Sequence, residues 1–321
     1  MTARLAVCVL TVVAALLCSC DSAVSMLPKS GGRPYEVLVV ASDRANAHLL
    51  DSMLSQDAAG LPQAEPMFDV SLTDSLHFNQ TAKLARNIVI VTVNPDVFTS
   101  VRVRYEKNVW ARPQMVAYVN APSGTAQTKS LPQIGRQLAD LFTRAEMNAE
   151  IARLAESGNV VASVTVDSMF GCAMKIPADM KYSKKADGFL WLSDNAPSGM
   201  QNICVYSYPG DRLDPAMALT ARDSVMKRNM PGERQGMYMQ TVRGSVDFVK
   251  ANEKGRILMI SRGLWEMHGD AMGGPFVAHS AADSARGRII VVEAFVYAPE
   301  AKKRNLMRQV EAALYTLKIK N

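Results

Sequence analysis

Residues 130–158 constrain the fold more than any other stretch. Ile134, Leu138, Leu141, Phe142, Ala145, Ala149 and Ala152 recur at i, i+3 and i+4 spacing, so a helix would gather them on one face. Ser130 is placed to cap this helix, Pro132 suits its first turn, and Gly158 stops it. Arg136, Arg144, Glu146, Glu150 and Arg153 fall on the opposite side, the pattern of a solvated face. A helix of this length separates two sets of short, strand-like runs and sets a boundary at 158/159.

Before it, Tyr35–Ala41, Asn87–Val93 and Gln114–Asn120 are short apolar runs rich in β-branched residues, the signature of buried strands. Phe68–Leu72 is a weaker strand, and Val101, Val103 and Tyr105 alternate with arginines as on a half-exposed one. Ser42 and Asp43 are N-cap candidates for a helix carrying Ala47, Leu50, Met53 and Leu54, and residues 79–86 read as a short helix. After it, Val160–Val166, Cys172–Ile176, 188–193, 201–208, 237–243, 256–265, 274–280 and 288–297 are strand-like. Asp214-Pro215 opens a helix reaching about Met230, and Lys302–Lys318 is an amphipathic helix. Ala117–Pro122 and Ala294–Pro299 share the pattern A-[YF]-V-x-A-P, each followed by a helix. These patterns predict an α+β protein of two similar halves, 35–158 and 159–321, each an antiparallel or mixed sheet with packed helices. The order of motifs from Ile176 to Tyr206 suggests a PsbP/Mog1-like αβα sandwich for the second half, an analogy of fold that implies no activity.

The amino-terminal residues carry a different signal. Arg4 precedes an apolar segment from Leu5 to about Leu17, too short to cross ~30 Å of hydrocarbon as a helix. Leu17-Cys18-Ser19-Cys20 closes it and looks like a bacterial lipobox. The expectation is that residues 1–19 are a signal peptide, that Cys20 is lipidated through its thiol, and that 20–34 is a polar tether. The bilayer is then a partner through acylated Cys20. With Asp21 the only acid close behind, the protein is expected to face the periplasm of the cell envelope. Cys172 and Cys204 are the remaining cysteines, either bridged or buried as free thiols. The content of 48% hydrophobic and 21% charged residues describes a folded chain. The net charge of +6 is spread without a basic stripe interleaved with aromatics, so no nucleic-acid site is expected.

The densest unusual stretch is Ser261–Ala278. Gly269, Gly273 and Gly274 allow positive φ and close backbone approach, and Gly-Asp-x-x-Gly-Gly-Pro between two strands reads as a wide hairpin loop. One reading makes it a ligand or partner loop formed by Trp265, Glu266, His268, Gly269, Asp270, Gly273, Gly274 and Phe276. The other makes the glycines a turn and puts Trp265 and Phe276 in the core. His268, Asp270, His279 and Glu293 are ligand types for a metal, but no two histidines have HExxH-like spacing, so no metal and no cofactor are expected. Ser224-Val225-Met226-Lys227 and Ser193-Asp194-Asn195 match pieces of the penicillin-recognising enzymes, but in reversed order and without K-T-G. No G-x-S-x-G elbow, P-loop or G-x-G-x-x-G fingerprint is present.

Arg262-Gly263-Leu264-Trp265, Gly269-Asp270, Met272–Val277, Glu293–Pro299 and Lys303-Arg304-Asn305 together resemble domain-of-unknown-function family 4837, lipoproteins of Gram-negative envelopes. The resemblance implies an envelope lipoprotein and carries no activity with it. The expected function is therefore a non-enzymatic, envelope-anchored protein that binds a small ligand or an envelope protein. The alternatives are a hydrolase using the Trp265–His279 loop, which requires His268, Asp270 and His279 in one cleft, and a packing protein with a large exposed apolar patch.

Overall fold

The structure is a computed structural model that describes residues 27–253 and 255–320. Its first sheet contains β1 (Glu36–Val40), β2 (Asp69–Thr73), β3 (Asn87–Val93), β4 (Arg102–Lys107) and β5 (Met115–Ala121), in the order β2-β1-β3-β5-β4. All pairs are parallel except β4–β5. Helices α1 (Arg44–Leu54) and α2 (Gly124–Glu156) cover one face, packing Leu50, Leu54, Ile134, Leu138 and Phe142 on Val37, Val39, Val89, Ala117 and Val119. Val40, Ile88 and Val116 point the other way, beneath loop residues that include Phe78 and Trp110. Burial on both faces is why these strands read as continuous apolar runs. The two helices come close at Gly135, where a Cβ would lie 2.7 Å from Met53 Sδ.

Helix α2 begins well before the expected Ser130. Its N-cap is Ser123, whose Oγ accepts from the Ala126 N–H at 3.2 Å. The first turns, Gly124–Lys129, are polar and carry no apolar periodicity, so they read as loop. Pro132 lies inside the helix and removes one backbone donor. Around it, hydroxyls turn back onto the helix: Thr128 Oγ1 donates to the Gly124 carbonyl (2.9 Å) and Ser130 Oγ to the Ala126 carbonyl (3.1 Å).

The second sheet is antiparallel throughout. Its strands are β7 (Tyr182–Ala186), β8 (Phe189–Ser193), β9 (Met200–Pro209), β10 (Tyr238–Thr241), β11 (Asp247–Glu253), β12 (Arg256–His268), β13 (Gly273–Asp283) and β14 (Arg288–Tyr297). The order is β10-β12-β13-β14-β9-β8-β7, and β11 pairs with β12 beyond β10. A short pair, β6 (Cys172–Ala173) with β15 (Lys318–Ile319), stands apart. Helices α3 (Val160–Phe170) and α5 (Arg304–Leu314) pack on one face, and α4 (Pro215–Asn229), capped by Asp214, on the other.

Val160–Val166 is a helix, against the strand expected from its β-branched residues. Asn159 caps it, accepting from Ala162 N–H at 3.0 Å, and Gly171 ends it in the left-handed conformation. Ala162, Val166 and Phe170 are the buried positions, one face at i, i+4 spacing, while Val160, Val161 and Val164 stay exposed. Caps and tertiary packing override β propensity here. The expected helix at 79–86 is a single 3-10 turn, Ala82–Leu84.

The halves are not alike in topology. The A-[YF]-V-x-A-P segments do end corresponding strands, β5 and β14, that lead into α2 and α5. Yet β5 has a parallel neighbour, whereas both neighbours of β14 are antiparallel. The halves meet where α2 packs on α5 and where the Glu65 carboxylate accepts the N–H groups of Lys303 (2.7 Å) and Arg304 (3.0 Å) at the start of α5. The expected tether is docked at its far end. Ser30 N–H donates to the Arg112 carbonyl at 3.1 Å and Gly31 N–H to the Leu84 carbonyl at 2.7 Å.

Candidate functional site

The Ser261–Ala278 stretch forms a tight hairpin, not a wide loop. Pairing continues to Glu266–Gly273, leaving Gly269, Asp270, Ala271 and Met272 at the tip. Gly269 takes φ +82°, and Met267 N–H donates to the Met272 carbonyl at 2.8 Å. Gly273 and Gly274 are strand residues. A Cβ on Gly274 would lie 2.1 Å from the Val296 carbonyl oxygen, so this glycine serves close strand packing. Trp265 and Phe276 are core residues: Trp265 Nε1 donates to the Val296 carbonyl at 3.3 Å, and the Arg222 guanidinium lies 3.8 Å from the Phe276 ring centroid. Glu266 accepts from Gln240 at 2.8 Å, and His268 stacks on Tyr238 at the exposed end of the sheet.

The other candidates fall apart in the same way. His279 lies opposite Ile260 on β12, eight residues before His268, which separates the two histidines by roughly 26 Å at ~3.3 Å per residue. His279 faces α5, its ring 4.5 Å from that of Tyr315, while Glu293 faces α4. Among the described residues no group of three His, Cys, Asp or Glu side chains is placed to hold a metal. Ser224 and Lys227 are exposed on α4, and Lys227 Nζ sits 4.4 Å from the Tyr238 ring centroid. Cys172 and Cys204 are free and buried in the cores on opposite faces of the sheet. Burial pushes the Cys172 thiol up to about 11 and that of Cys204 well above its ordinary value, so neither is a nucleophile. Cys20 lies outside the described residues. No described helix is long and apolar enough to cross a membrane.

On the α4 face, Arg222 makes a hydrogen-bonded network. Its Nε and Nη2 donate to Glu293 (3.1 and 2.8 Å), and its Nη1 donates to Thr241 Oγ1 (2.8 Å), while Tyr206 donates to Glu293 at 3.2 Å. Arg222, Glu293 and Tyr206 are buried and satisfied, and the network reaches the surface at Asp223, which accepts from Thr241 Oγ1 at 2.6 Å, the arrangement of a structural brace.

The site with open chemistry lies between the halves. A cleft of about 280 Å³ runs between α2, the 57–67 loop and α5. Leu61, Met67, Met147, Val277 and Met307 form its apolar walls, and Asp57, Thr143, Arg262, Arg304, Arg308, Glu311 and Tyr315 its polar ones. Arg262 Nη1 donates to Glu311 at 3.0 Å, and Nη2 donates to the other oxygen. Burial alone would raise the Glu311 carboxyl, but the Arg262 charge and hydrogen bonds hold it below its usual range. Beneath this pair, burial pushes the His279 imidazole down to about 4, so it is neutral near pH 7.

Arg308 is the exception among the arginines of the core. Arg86, Arg222, Arg262, Arg288 and Arg304 each pair with a carboxylate. Arg308 has no carboxylate within ion-pair distance among the described residues. Its Nη1 donates to the Met67 carbonyl at 2.8 Å, and its guanidinium lies 4.2 Å from the Tyr35 ring centroid and 5.7 Å from that of Phe68. Burial lowers its affinity for the proton, yet an arginine stays charged. A half-buried guanidinium with idle donors in a cleft can take a carboxylate, phosphate or sulfonate. The sequence pattern alone does not single out Arg308. The available signal was a charge on the core-facing side of the last helix, beside Met307 and Val310 and about one turn from Arg304 and from Glu311.

The cleft joins two segments that comparison with known families also separates. No curated protein matches the chain. Residues 30–155 match the family described as Domain of unknown function (DUF8532). Residues 159–316, including the motifs around Arg262 and Gly274, match the family described as Domain of unknown function (DUF4837).

Proposed function

We propose that this chain is an envelope lipoprotein, anchored through acylated Cys20 and facing the periplasm, that binds a small anionic ligand without transforming it. The anchoring part rests on the short apolar segment closed by Leu17-Cys18-Ser19-Cys20. The binding part rests on one observation: Arg308 carries a half-buried charge with no carboxylate partner among the described residues, in the cleft between the halves. Such a charge is costly to hold unpaired and is repaid when an anion arrives. The walls of Leu61, Met67, Met147, Val277 and Met307 suit a short apolar body behind the acidic group. The hydrolase reading draws no support from the separated positions of His268, Asp270 and His279. For residues 159–321 we keep the likeness to a PsbP/Mog1-like αβα sandwich, supported by helices on both faces of the sheet, as a statement about fold alone.

Two measurements test this. Mass spectrometry of the amino-terminal peptide should show a diacylglyceryl thioether on Cys20, and Cys20→Ser should move the protein from the detergent phase to the aqueous phase. An unmodified Cys20 contradicts anchoring. In thermal melts, butyrate or inorganic phosphate should stabilise the wild type and leave Arg308→Gln unshifted. Equal shifts in both would place the anion elsewhere.

A further inference from the structure

A second, larger cleft of about 570 Å³ lies at the starts of β3 and β5, against the outer side of α2. Its charged lining is Arg86, Lys107, Arg112, Arg144 and a single carboxylate, Glu146. That carboxylate is consumed inside the wall: Arg86 donates to it at 2.5 and 3.1 Å and Asn87 Nδ2 at 2.7 Å. Lys107, Arg112 and Arg144 are exposed and have no ion pair among the described residues. Tyr105, 58% exposed, stands at the rim. The cleft is therefore an open, positively charged surface, not a point of convergence.

Its position in the chain gives it a meaning. The first described residues run along this edge: Arg112 N–H donates to the Pro28 carbonyl at 2.8 Å, and Ser30 returns the bond at 3.1 Å. Leu27 thus leaves the fold beside Arg112. Seven peptide steps separate it from Cys20, a reach of at most about 25 Å. A lipid anchor on Cys20 holds this face close to the bilayer, and exposed cations are attracted to anionic lipid within a Debye length of ~10 Å. We propose that this is the membrane-facing side and that the cleft receives the phosphate headgroup of an anionic phospholipid. The inference rests on the acylation of Cys20 proposed above.

The test uses the mature chain, residues 20–321, with Cys20→Ser, so that binding does not depend on acylation. The protein is sedimented with vesicles of phosphatidylcholine alone or mixed with phosphatidylglycerol. It should associate with the anionic vesicles only. Each neutralised charge should cost about fivefold in partitioning, so Lys107→Gln/Arg112→Gln/Arg144→Gln together should cost about a hundredfold. All three positions are exposed, and circular dichroism checks that the triple variant is folded. Inorganic phosphate should release the protein no better than chloride at matched ionic strength. Three results overturn the inference: no preference for anionic vesicles, undiminished binding by the triple variant, or selective release by phosphate, which would mark a free-phosphate site. Acylation of Cys20 is read separately by mass spectrometry. If vesicle binding fails while Cys20 is acylated, the headgroup site falls and the anchor stands. If Cys20 is unmodified in cells, the anchor falls and takes the membrane-facing orientation with it.

Discussion

The guanidinium of Arg308, on the last helix, lies 4.2 Å from the centroid of the Tyr35 ring, at the edge of the first strand. This contact joins the two halves and holds a positive charge against an aromatic face where other core arginines have a carboxylate. A cation–π contact here contributes about 1–2 kcal/mol. That is less than a guanidinium needs to offset its desolvation, and this deficit is the basis for the proposal that the cleft takes an anion.

The brace on the other side of the sheet should behave oppositely. Arg222→Met strands the Glu293 carboxylate in the core and should destabilise the protein by about 3–5 kcal/mol. Removing both charges, as in Arg222→Met/Glu293→Met, should recover most of that loss. Urea unfolding of the two variants checks the difference. A double variant as unstable as the single one would contradict the brace.

His279 sets a pH dependence. Its folded pKa of about 4 lies below the ordinary 6.5, so the unfolded chain takes up this proton first as pH falls. The contribution is complete above pH 6.5 and is lost down to about pH 4, amounting to about 3 kcal/mol. Glu311, held below the usual carboxylate range by Arg262, acts in the same sense at lower pH. Denaturant melts of His279→Phe should be flatter than wild type between pH 6.5 and 5.

The hairpin should divide into tip and strand. His268→Ala and Asp270→Ala are surface changes, expected within about 0.5 kcal/mol of wild type. Gly274→Ala drives a methyl group into the Val296 carbonyl and should cost about 3 kcal/mol, and Trp265→Ala about 3–5 kcal/mol. Thermal melts rank the four. A large loss at the tip with anion binding abolished would return the hairpin to candidacy as a site.

Both core thiols should be silent in the native protein. Cys172 and Cys204 are buried on opposite faces of the sheet with raised pKa values, so Ellman's reagent should label them only after denaturation, without prior reduction. A need for reductant would indicate a bridge.

Local signals carried much of the fold. Asp43 and Asp214 are the caps their sequence contexts suggest, and NIVIVTV is a strand buried on both faces. Misreadings arose where local chemistry and tertiary packing disagree. Valine-rich Val160–Val166 is helical because Asn159 and Gly171 bound it and only one of its faces meets the core. The strands at Tyr182–Ala186 and 247–253 escaped notice because they lie at the edges of the sheet, where polar and lysine-rich sequences replace apolar alternation. The cleft was invisible for a different reason. Arg262 and Arg308 stand on separate elements, and Tyr35 and Met67 come from the other half of the chain. An unpaired charge can be recognised only once its neighbours are known.

The most direct test of the central claim is calorimetric titration of butyrate and inorganic phosphate into the wild type, Arg308→Lys and Arg308→Gln. Saturable binding is expected in the wild type, weakened in Arg308→Lys and at least about tenfold weaker in Arg308→Gln. Equal affinity in all three proteins, or no binding of either anion to the wild type, would contradict the assignment of the cleft between the halves as an anion site.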